Sequence, residues 1–368
     1  MMKRILLTAA IVFCCVNVVL AQRIEVVDKQ GNGVPYATVT TPDAEFIGTT
    51  DMNGVLEDTK DYATIVVSHI AFKPQKVALY SGNTRITMED VEFTLDEITA
   101  SPKPLVYVQT YYRLFFYSEK EGMFYYRVGI TDNAYDRQKK DVKANTNHVA
   151  KATIGIVKVL LGALLGPRLD QVSRINVNKL EDRMRSWYDD IDLQFVDNGP
   201  NKKTITDFKG VVGNIVDNPQ TGVRRYSYDT SAMRRHQLEA EGNEKKLRKL
   251  EKKAEKESEK TRNKKESCFQ LYRIDENGFY APEDFVSCEI VESYDKLVDE
   301  AWDHRIMGLQ IFATDRAYVT KEELKEIKKN NKFKLTYDSI KQFEADNNIP
   351  ELAPAVEEKL AELWNVDK

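Results

Sequence analysis

Histidine is scarce: the chain holds four in 368 residues, His69, His148, His236 and His304. None lies four residues from another, so no helix face carries a pair of imidazole ligands, and the His-Glu-x-x-His zinc motif is excluded. Each reads as a surface or satisfied core side chain. A P-loop, a glycine-rich dinucleotide fingerprint, a nucleophile elbow and a Cys-x-x-Cys pair are missing as well. No cofactor, metal or catalytic residue is therefore expected. A basic surplus is also lacking: 54 Lys and Arg stand against 58 Asp and Glu, a net charge of −4, which argues against general nucleic-acid binding. No apolar run reaches the roughly 20 residues that cross a membrane comfortably, and no internal repeat is present.

Cysteine is the next shortage, with four in the chain. Cys14 and Cys15 fall in a segment that reads as a processing signal (residues 1–21). Lys3 and Arg4 precede an almost wholly apolar stretch from Ile5 to Leu20, and Val19-Leu20-Ala21 supplies an acceptable cleavage site. Cleavage is expected after Ala21; an uncleaved anchor is the alternative. Cys15 sits too early in the stretch for a lipoprotein cysteine. The mature chain would then be exported, to the periplasm or to the outer membrane and cell surface, with its charge moved from −4 to −6 by the loss of Lys3 and Arg4. In that oxidising compartment only Cys268 and Cys288 remain. Their midpoint falls on Asn277-Gly278, so a simple hairpin pivoting there brings the thiols within disulfide reach. Two separate buried thiols are the other reading, and Pro282-Glu283-Asp284 would break the simple register.

What is plentiful is aromatic: 18 Tyr and 15 Phe, a bias that suits pleated sheet. Residues 22–96 alternate with period two and turn about every ten residues, as an all-β sandwich does, and the module is taken as 22–99. Strands are expected at Arg23–Asp28, Val34–Thr40, Phe46-Ile47, Val55-Leu56, Thr64–Phe72, Lys76–Leu79 and Val91–Leu95. Gly48-Thr-Thr-Asp-Met-Asn-Gly54 reads as a hairpin tip. Its Asp51 and Asn53 also offer oxygens on a glycine turn, but the further acids of a calcium loop are missing and turn chemistry accounts for them. About 75 residues is small for a free-standing core, so this module is expected to lean on the larger C-terminal part of the chain.

The motif order resembles a known family. It runs Val26-Val-Asp28, Val34-Pro-Tyr-Ala-Thr-Val39, Gly48-Thr-Thr-Asp-x-Asn-Gly54, Ile65-Val-Val-Ser-His-Ile-Ala-Phe72 and Leu95-Asp-Glu-Ile98. This is similar to the carboxypeptidase-regulatory-like domain, a prealbumin-like β-sandwich of exported and outer-membrane proteins in one group of Gram-negative bacteria. The likeness covers roughly a fifth of the chain. It implies an accessory module and no protease activity. Family members often carry Gly where Ala71 stands, and the large ones continue into a 22-stranded barrel, for which the remaining residues are too few.

Ala100–Pro104 reads as a short stiff linker, and 105–368 as an α+β domain. Strands are expected in Leu105–Tyr117, Met123–Ile130, Leu193–Val196, Lys203–Tyr228, near 268–274 and 285–292, and in Ile306–Val319. Turns are expected at Asp132-Asn133, Asn198-Gly199-Pro200 and Asn218-Pro219. Helices are expected at 150–166, Asp170–Tyr188, 230–266 with a break at Gly242, Tyr294–Trp302, from a Thr320–Glu323 capping box onward, at Thr336–Asp346 and after Pro350.

Three stretches carry candidate contacts. Helix 150–166, with Ile154, Val157, Leu160, Leu161, Leu164 and Leu165, packs on the sheet or else meets an apolar ligand or the membrane surface. Asp189, Asp190 and Asp192, with Glu181 and Asp182 upstream, read as a solvated junction, or as paired carboxylates of a glycosidase. Residues 244–266 hold eleven Lys and Arg against six acids, +5 locally; they form a solvated helix, or an arm toward anionic lipid or an acidic partner. The reading is an exported, non-enzymatic envelope protein: a sandwich scaffold followed by a domain that binds a partner or an apolar ligand. Its partner would be an envelope protein or outer-membrane complex, not nucleic acid. A hydrolase of envelope carbohydrate or peptide and a periplasmic lipid carrier are the alternatives.

Overall fold

The computed structural model describes residues 22–43, 45–58, 62–79, 83–92, 102–139, 141–153, 193–274, 282–330 and 336–366. The processing signal, the candidates Ile154, Val157, Leu160, Leu161, Leu164 and Leu165, the helix expected at Asp170–Tyr188 and the acids Asp189, Asp190 and Asp192 lie outside these. The described chain is mainly strand.

Residues 22–92 form two small sheets. In one, β1 (Gln22–Val27) pairs antiparallel with β4 (Val55–Asp58) and parallel with β7 (Thr84–Thr87). In the other, β2 (Thr38–Thr40) lies between β3 (Phe46–Thr49) and β5 (Thr64–His69), which pairs with β6 (Phe72–Ala78). Alternate residues of both sheets, Ile24, Val26, Ile86, Val39, Ile65, Val67 and Phe72, share one buried cluster, as period-two patterning requires. The expected strand Thr64–Phe72 is instead a hairpin: β5 and β6 pair antiparallel across the two-residue turn Ile70-Ala71, where His69 Nδ1 accepts the Ala71 N–H at 3.1 Å. β7 has a single buried apolar residue, Ile86, too weak a pattern to stand out in the sequence.

The Asp51–Gly54 turn is not a hairpin tip. β3 and β4 belong to different sheets, and the turn carries the chain from one to the other. Asp51 Oδ1 accepts the N–H groups of Asn53 and Val55, both at 2.8 Å, as an Asx turn does. Gly54 sits at φ +78°, and a Cβ there would come within 2.3 Å of the Val26 carbonyl oxygen. Val26 donates to the Gly54 carbonyl at 2.7 Å, so glycine is required by both conformation and close approach.

The rest of the strands form one ten-stranded antiparallel sheet, ordered β10-β9-β8-β17-β16-β15-β14-β13-β12-β11. These are β8 (Leu105–Ser118), β9 (Gly122–Asp136), β10 (Asp141–Thr153), β11 (Gln194–Asp197), β12 (Lys202–Asp207), β13 (Gly210–Asn218), β14 (Val223–Asp229), β15 (Thr261–Arg273), β16 (Phe285–Val298) and β17 (Ala301–Val319). Between β14 and β15 lie α1 (Thr230–Ala240) and α2 (Glu244–Ser258), separated at Gly242 with φ +62°. The chain ends in α3 (Lys321–Asn330), α4 (Tyr337–Asp346) and α5 (Pro354–Val366).

Four expectations are corrected here. Ala150–Thr153 belong to β10, not to a helix. Asp132-Asn133 is no turn: both lie inside β9, where Asp132 accepts the Tyr107 hydroxyl at 2.7 Å and Asn133 donates to the Val108 carbonyl at 3.1 Å. The charged helix stops at Ser258, and Thr261–Glu266 begins β15. Tyr294–Trp302 is a hairpin: Asp299 and Glu300 both take positive φ, 48° and 65°, and join β16 to β17 by a two-residue turn of the type that twisted strands accept.

One sheet face carries Tyr111, Phe115, Tyr126, Val128, Phe269, Leu271 and Phe312. They cluster with the two N-terminal sheets and with Ile340, Val356, Leu360 and Leu363 of α4 and α5. The opposite face buries Val106, Tyr112, Leu114, Phe116, Tyr226, Tyr228, Tyr272, Leu309 and Ile311. The expected capping box is present: Glu323 N–H donates to Thr320 Oγ1 at 3.2 Å and Thr320 N–H to Glu323 Oε2 at 2.7 Å.

Candidate functional site

Where β3 meets the ends of β15, β16 and β17 there is a cleft of about 540 Å³. A smaller enclosed cavity of about 70 Å³ lies behind it, and Thr49, Lys265 and Ser293 line both.

The cleft is built by the Asp299-Glu300 turn. A two-residue turn pairs residues at equal distance on either side, so Asp295 on β16 stands opposite His304 on β17. The His304 Nδ1 to Asp295 Oδ1 distance is 2.8 Å. Asp295 Oδ2 accepts Arg262 Nε at 3.1 Å and Asn263 Nδ2 at 2.7 Å. Burial works to raise the Asp295 carboxyl, but the hydrogen bonds from His304, Asn263 and Arg262 outweigh it and hold the group below its ordinary range. With the carboxylate ionised, Nδ1–H donates to it, which leaves Nε2 as the ring's acceptor nitrogen. Nε2 is buried and has no hydrogen-bond partner among the described residues. Phe46 of β3 stacks flat on the imidazole, ring centroids 3.4 Å apart.

A bulge in β15 between Arg262 and Lys265 turns the neighbouring cations toward the same cleft. Arg262 lies over the Trp302 ring, 4.2 Å from its centroid. Lys265 Nζ donates to the carbonyl and hydroxyl oxygens of Thr49, both at 3.1 Å. Burial lowers its pKa, opposed by Asp51, and no carboxylate pairs with it among the described residues. Across the cleft, Glu119 Oε1 accepts the Phe46 N–H at 3.1 Å. Burial raises that carboxyl, while the Phe46 hydrogen bond and His304 oppose the rise.

An Asp–His dyad activates a hydroxyl when one lies within hydrogen-bond distance of the outer nitrogen. No described residue offers one at Nε2, since Ser293 lies in the same cleft without bonding to it. The arrangement presents Arg262, Lys264 and Lys265 to a ligand, and no hydroxyl is bonded to Nε2 among the described residues.

The described cysteine and other histidine candidates fall elsewhere. Cys268 and Cys288 are not joined: β15 and β16 pair Cys268 with Ile290 and Cys288 with Gln270. The strand register is offset from the one that a simple pivot at 278 requires, so the thiols stand on one face but diagonal, about 7–8 Å apart at the backbone and beyond a normal disulfide. The turn of 3₁₀ helix at Pro282–Asp284 and a bulge at Leu271/Tyr272 accompany that shift. His236 pairs with Asp207, and His69 lines the enclosed cavity. The Asp295–His304 pair was hidden because Tyr294–Trp302 has helical spacing; reading Asp299-Glu300 as a turn would have found it.

Comparison with known proteins adds little. No family model matches the chain. No curated protein matches it either. Among solved structures, one described as lipid–protein interactions in lipovitellin is similar at a TM-score of 0.28 and 7% identity, over 59% of this chain and 26% of that one. This chain therefore spans about a quarter of that one's length. A likeness so loose bears on neither fold nor function.

Proposed function

We propose that the protein is an exported, non-enzymatic binding protein of the cell envelope, and that the cleft between its N-terminal sheets and the ten-stranded sheet takes a ligand bearing an anionic group. The N-terminal part serves as a prealbumin-like, carboxypeptidase-regulatory-like scaffold, which supplies Phe46 and Thr49 to one wall. The larger part supplies the polar donors and meets an envelope protein or outer-membrane complex. The observation that carries this reading is Lys265: an exposed ammonium on the cleft wall that donates to both oxygens of Thr49 and pairs with no carboxylate among the described residues, in the same cleft as Arg262 and Lys264. An ammonium without a paired carboxylate is available to donate a charge-assisted hydrogen bond to an anionic group.

The test tracks the His304 ring signals by NMR while inorganic phosphate or acetate is added. The expected result is a saturable shift, weakened about tenfold in Lys265→Met, the value of one charge-assisted hydrogen bond. An unshifted ring, or equal affinity in Lys265→Met, would overturn the reading. The Asp295–His304 dyad favours the alternative, a hydrolase of envelope carbohydrate or peptide acting on a bound water. Turnover that disappears in His304→Gln would select it.

A further inference from the structure

Helix α2 carries lysines at 245, 249 and 252, a spacing of i, i+4 and i+7 that sets all three on one face. All are exposed, as are Lys246 and, in the turn beyond the helix, Lys260. None of these five forms an ion pair among the described residues, whereas Arg248 is paired with Glu244 at 3.0 Å. The leucines of the helix, Leu247 and Leu250, are half-buried and lie on the opposite side.

The helix is held firmly enough to present that face. Asn243 Oδ1 accepts the Lys246 N–H at 3.2 Å at its start. Its neighbour α1 is pinned to the β12–β13 hairpin by His236–Asp207 and Lys209–Glu239. Further along the chain, Arg262 and Lys264 line the cleft, where they pair with Asp295 and Glu292.

Charge asymmetry selects the occupant. Residues 244–266 sum to +5 in a chain of −4, so the remainder carries −9. A negative surface attracts this helix and repels the rest, which orients the molecule. A specific protein interface needs an apolar centre, and lysine is depleted there; here the apolar residues are turned inward. A face of lysines with no apolar anchor fits a flat array of negative headgroups. We infer that α2 docks the protein on an anionic lipid bilayer through Lys245, Lys249 and Lys252. The choice of lipid over nucleic acid rests on the exported reading of the chain.

The test is vesicle co-sedimentation of the chain from Gln22 onward, which contains every described residue. Vesicles of phosphatidylcholine are compared with vesicles in which about a third of the lipid is phosphatidylglycerol, a surface charge that attracts basic segments. Binding to the anionic vesicles alone is expected, and its loss in ~1 M salt, where the Debye length falls to about 3 Å. The triple variant Lys245→Gln/Lys249→Gln/Lys252→Gln should bind more weakly by roughly fivefold per lysine, about a hundredfold in all. Lys321→Gln/Lys325→Gln/Lys329→Gln, the same charge removed from exposed sites on α3, should bind as the parent does. Equal loss in both triples, equal binding to both vesicles, or tighter binding to polyglutamate or duplex DNA than to the anionic vesicles would overturn the inference.

Discussion

His69 is the side chain whose surroundings fix its charge most firmly. It is 7% exposed in the enclosed cavity between β5 and the ten-stranded sheet. Its ring meets Phe269 edge-on at 4.5 Å, and its Nε2 has no partner among the described residues. Burial first, and the Arg225 charge second, push its pKa down to about 3. An unfolded histidine titrates near 6.5. As pH falls through that value the unfolded chain takes up a proton that the folded chain refuses until about pH 3. Stability is therefore lost across that window as pH falls. Glu289, on the wall of the same cavity, has the opposite sign: burial raises its carboxyl against Gln310 and Arg113, so its contribution is lost as pH rises. Comparing the parent with His69→Gln isolates the histidine. In urea titrations between pH 7 and pH 4, the parent should lose up to about 1.4 kcal/mol per pH unit more than the variant; parallel pH profiles would refute the assignment. The strand around His69 was legible, because Ile65-Val-Val67 is apolar and β-branched. The neutral state of the ring was not, since the groups that bury it, Phe269 among them, lie far away in sequence.

At the scale of elements, α4 is held to the sheet by charge as much as by apolar contact. Arg113 sits mid-strand in β8, 1% exposed. It donates through Nη1 to Glu344 Oε1 of α4 at 3.1 Å and through Nη2 to the Pro350 carbonyl at 2.6 Å, and through Nε to Gln310. Tyr111 donates to the same Glu344 oxygen at 2.7 Å, and Lys341 to the other at 3.0 Å. Burial alone would raise the Glu344 carboxyl, but Arg113 and Lys341 hold it below its ordinary range. Removing one partner of such a pair leaves a buried charge uncompensated. Glu344→Ala should cost about 3–5 kcal/mol in urea unfolding, and Arg113→Met/Glu344→Leu should cost less than that single change. A double variant weaker than Glu344→Ala would show that the pair contributes net stability. The end signals of α3 and α4 were readable because capping is local: Thr320 with Glu323, and Thr336 with Ser339. The false helices have other causes. Tyr294–Trp302 has apolar residues at helical spacing, and the turn between β16 and β17 uses Asp299-Glu300 rather than the Asn-Gly that marks such hairpins, while residues 150–153 stand at the head of a longer apolar run in the sequence.

At the scale of the molecule, the N-terminal sheets and the large sheet share a core, and the polar contacts between them are as specific as those within each. Asp28 and Arg225 form an ion pair with side chains 0% and 7% exposed, and the Arg225 guanidinium lies over Phe72, 5.1 Å from its ring centroid. Asn214 Nδ2 donates to the Met52 carbonyl at 3.1 Å, so the Asp51–Gly54 turn is itself part of the junction. Asn218 bridges to Asp90 and accepts from Gln30. The small size of residues 22–99 was the legible sign that they lean on a neighbour. Which face receives them was not legible, because Asn214, Asn218 and Arg225 read as ordinary polar residues of strands and a turn until the ten-strand order sets them on one surface. If the junction couples the two parts, a change at its centre destabilises both together. Asp28→Asn keeps an oxygen for the Gln30 and Asn32 N–H groups that Asp28 Oδ1 now accepts at 2.9 and 2.8 Å, but leaves Arg225 buried without its counter-charge. The expected cost is about 3–5 kcal/mol, taken from a single transition in calorimetry with calorimetric and van't Hoff enthalpies equal in parent and variant. Two separable transitions, only one of them moved by Asp28→Asn, would show that the N-terminal sheets fold on their own and that the ion pair serves docking alone.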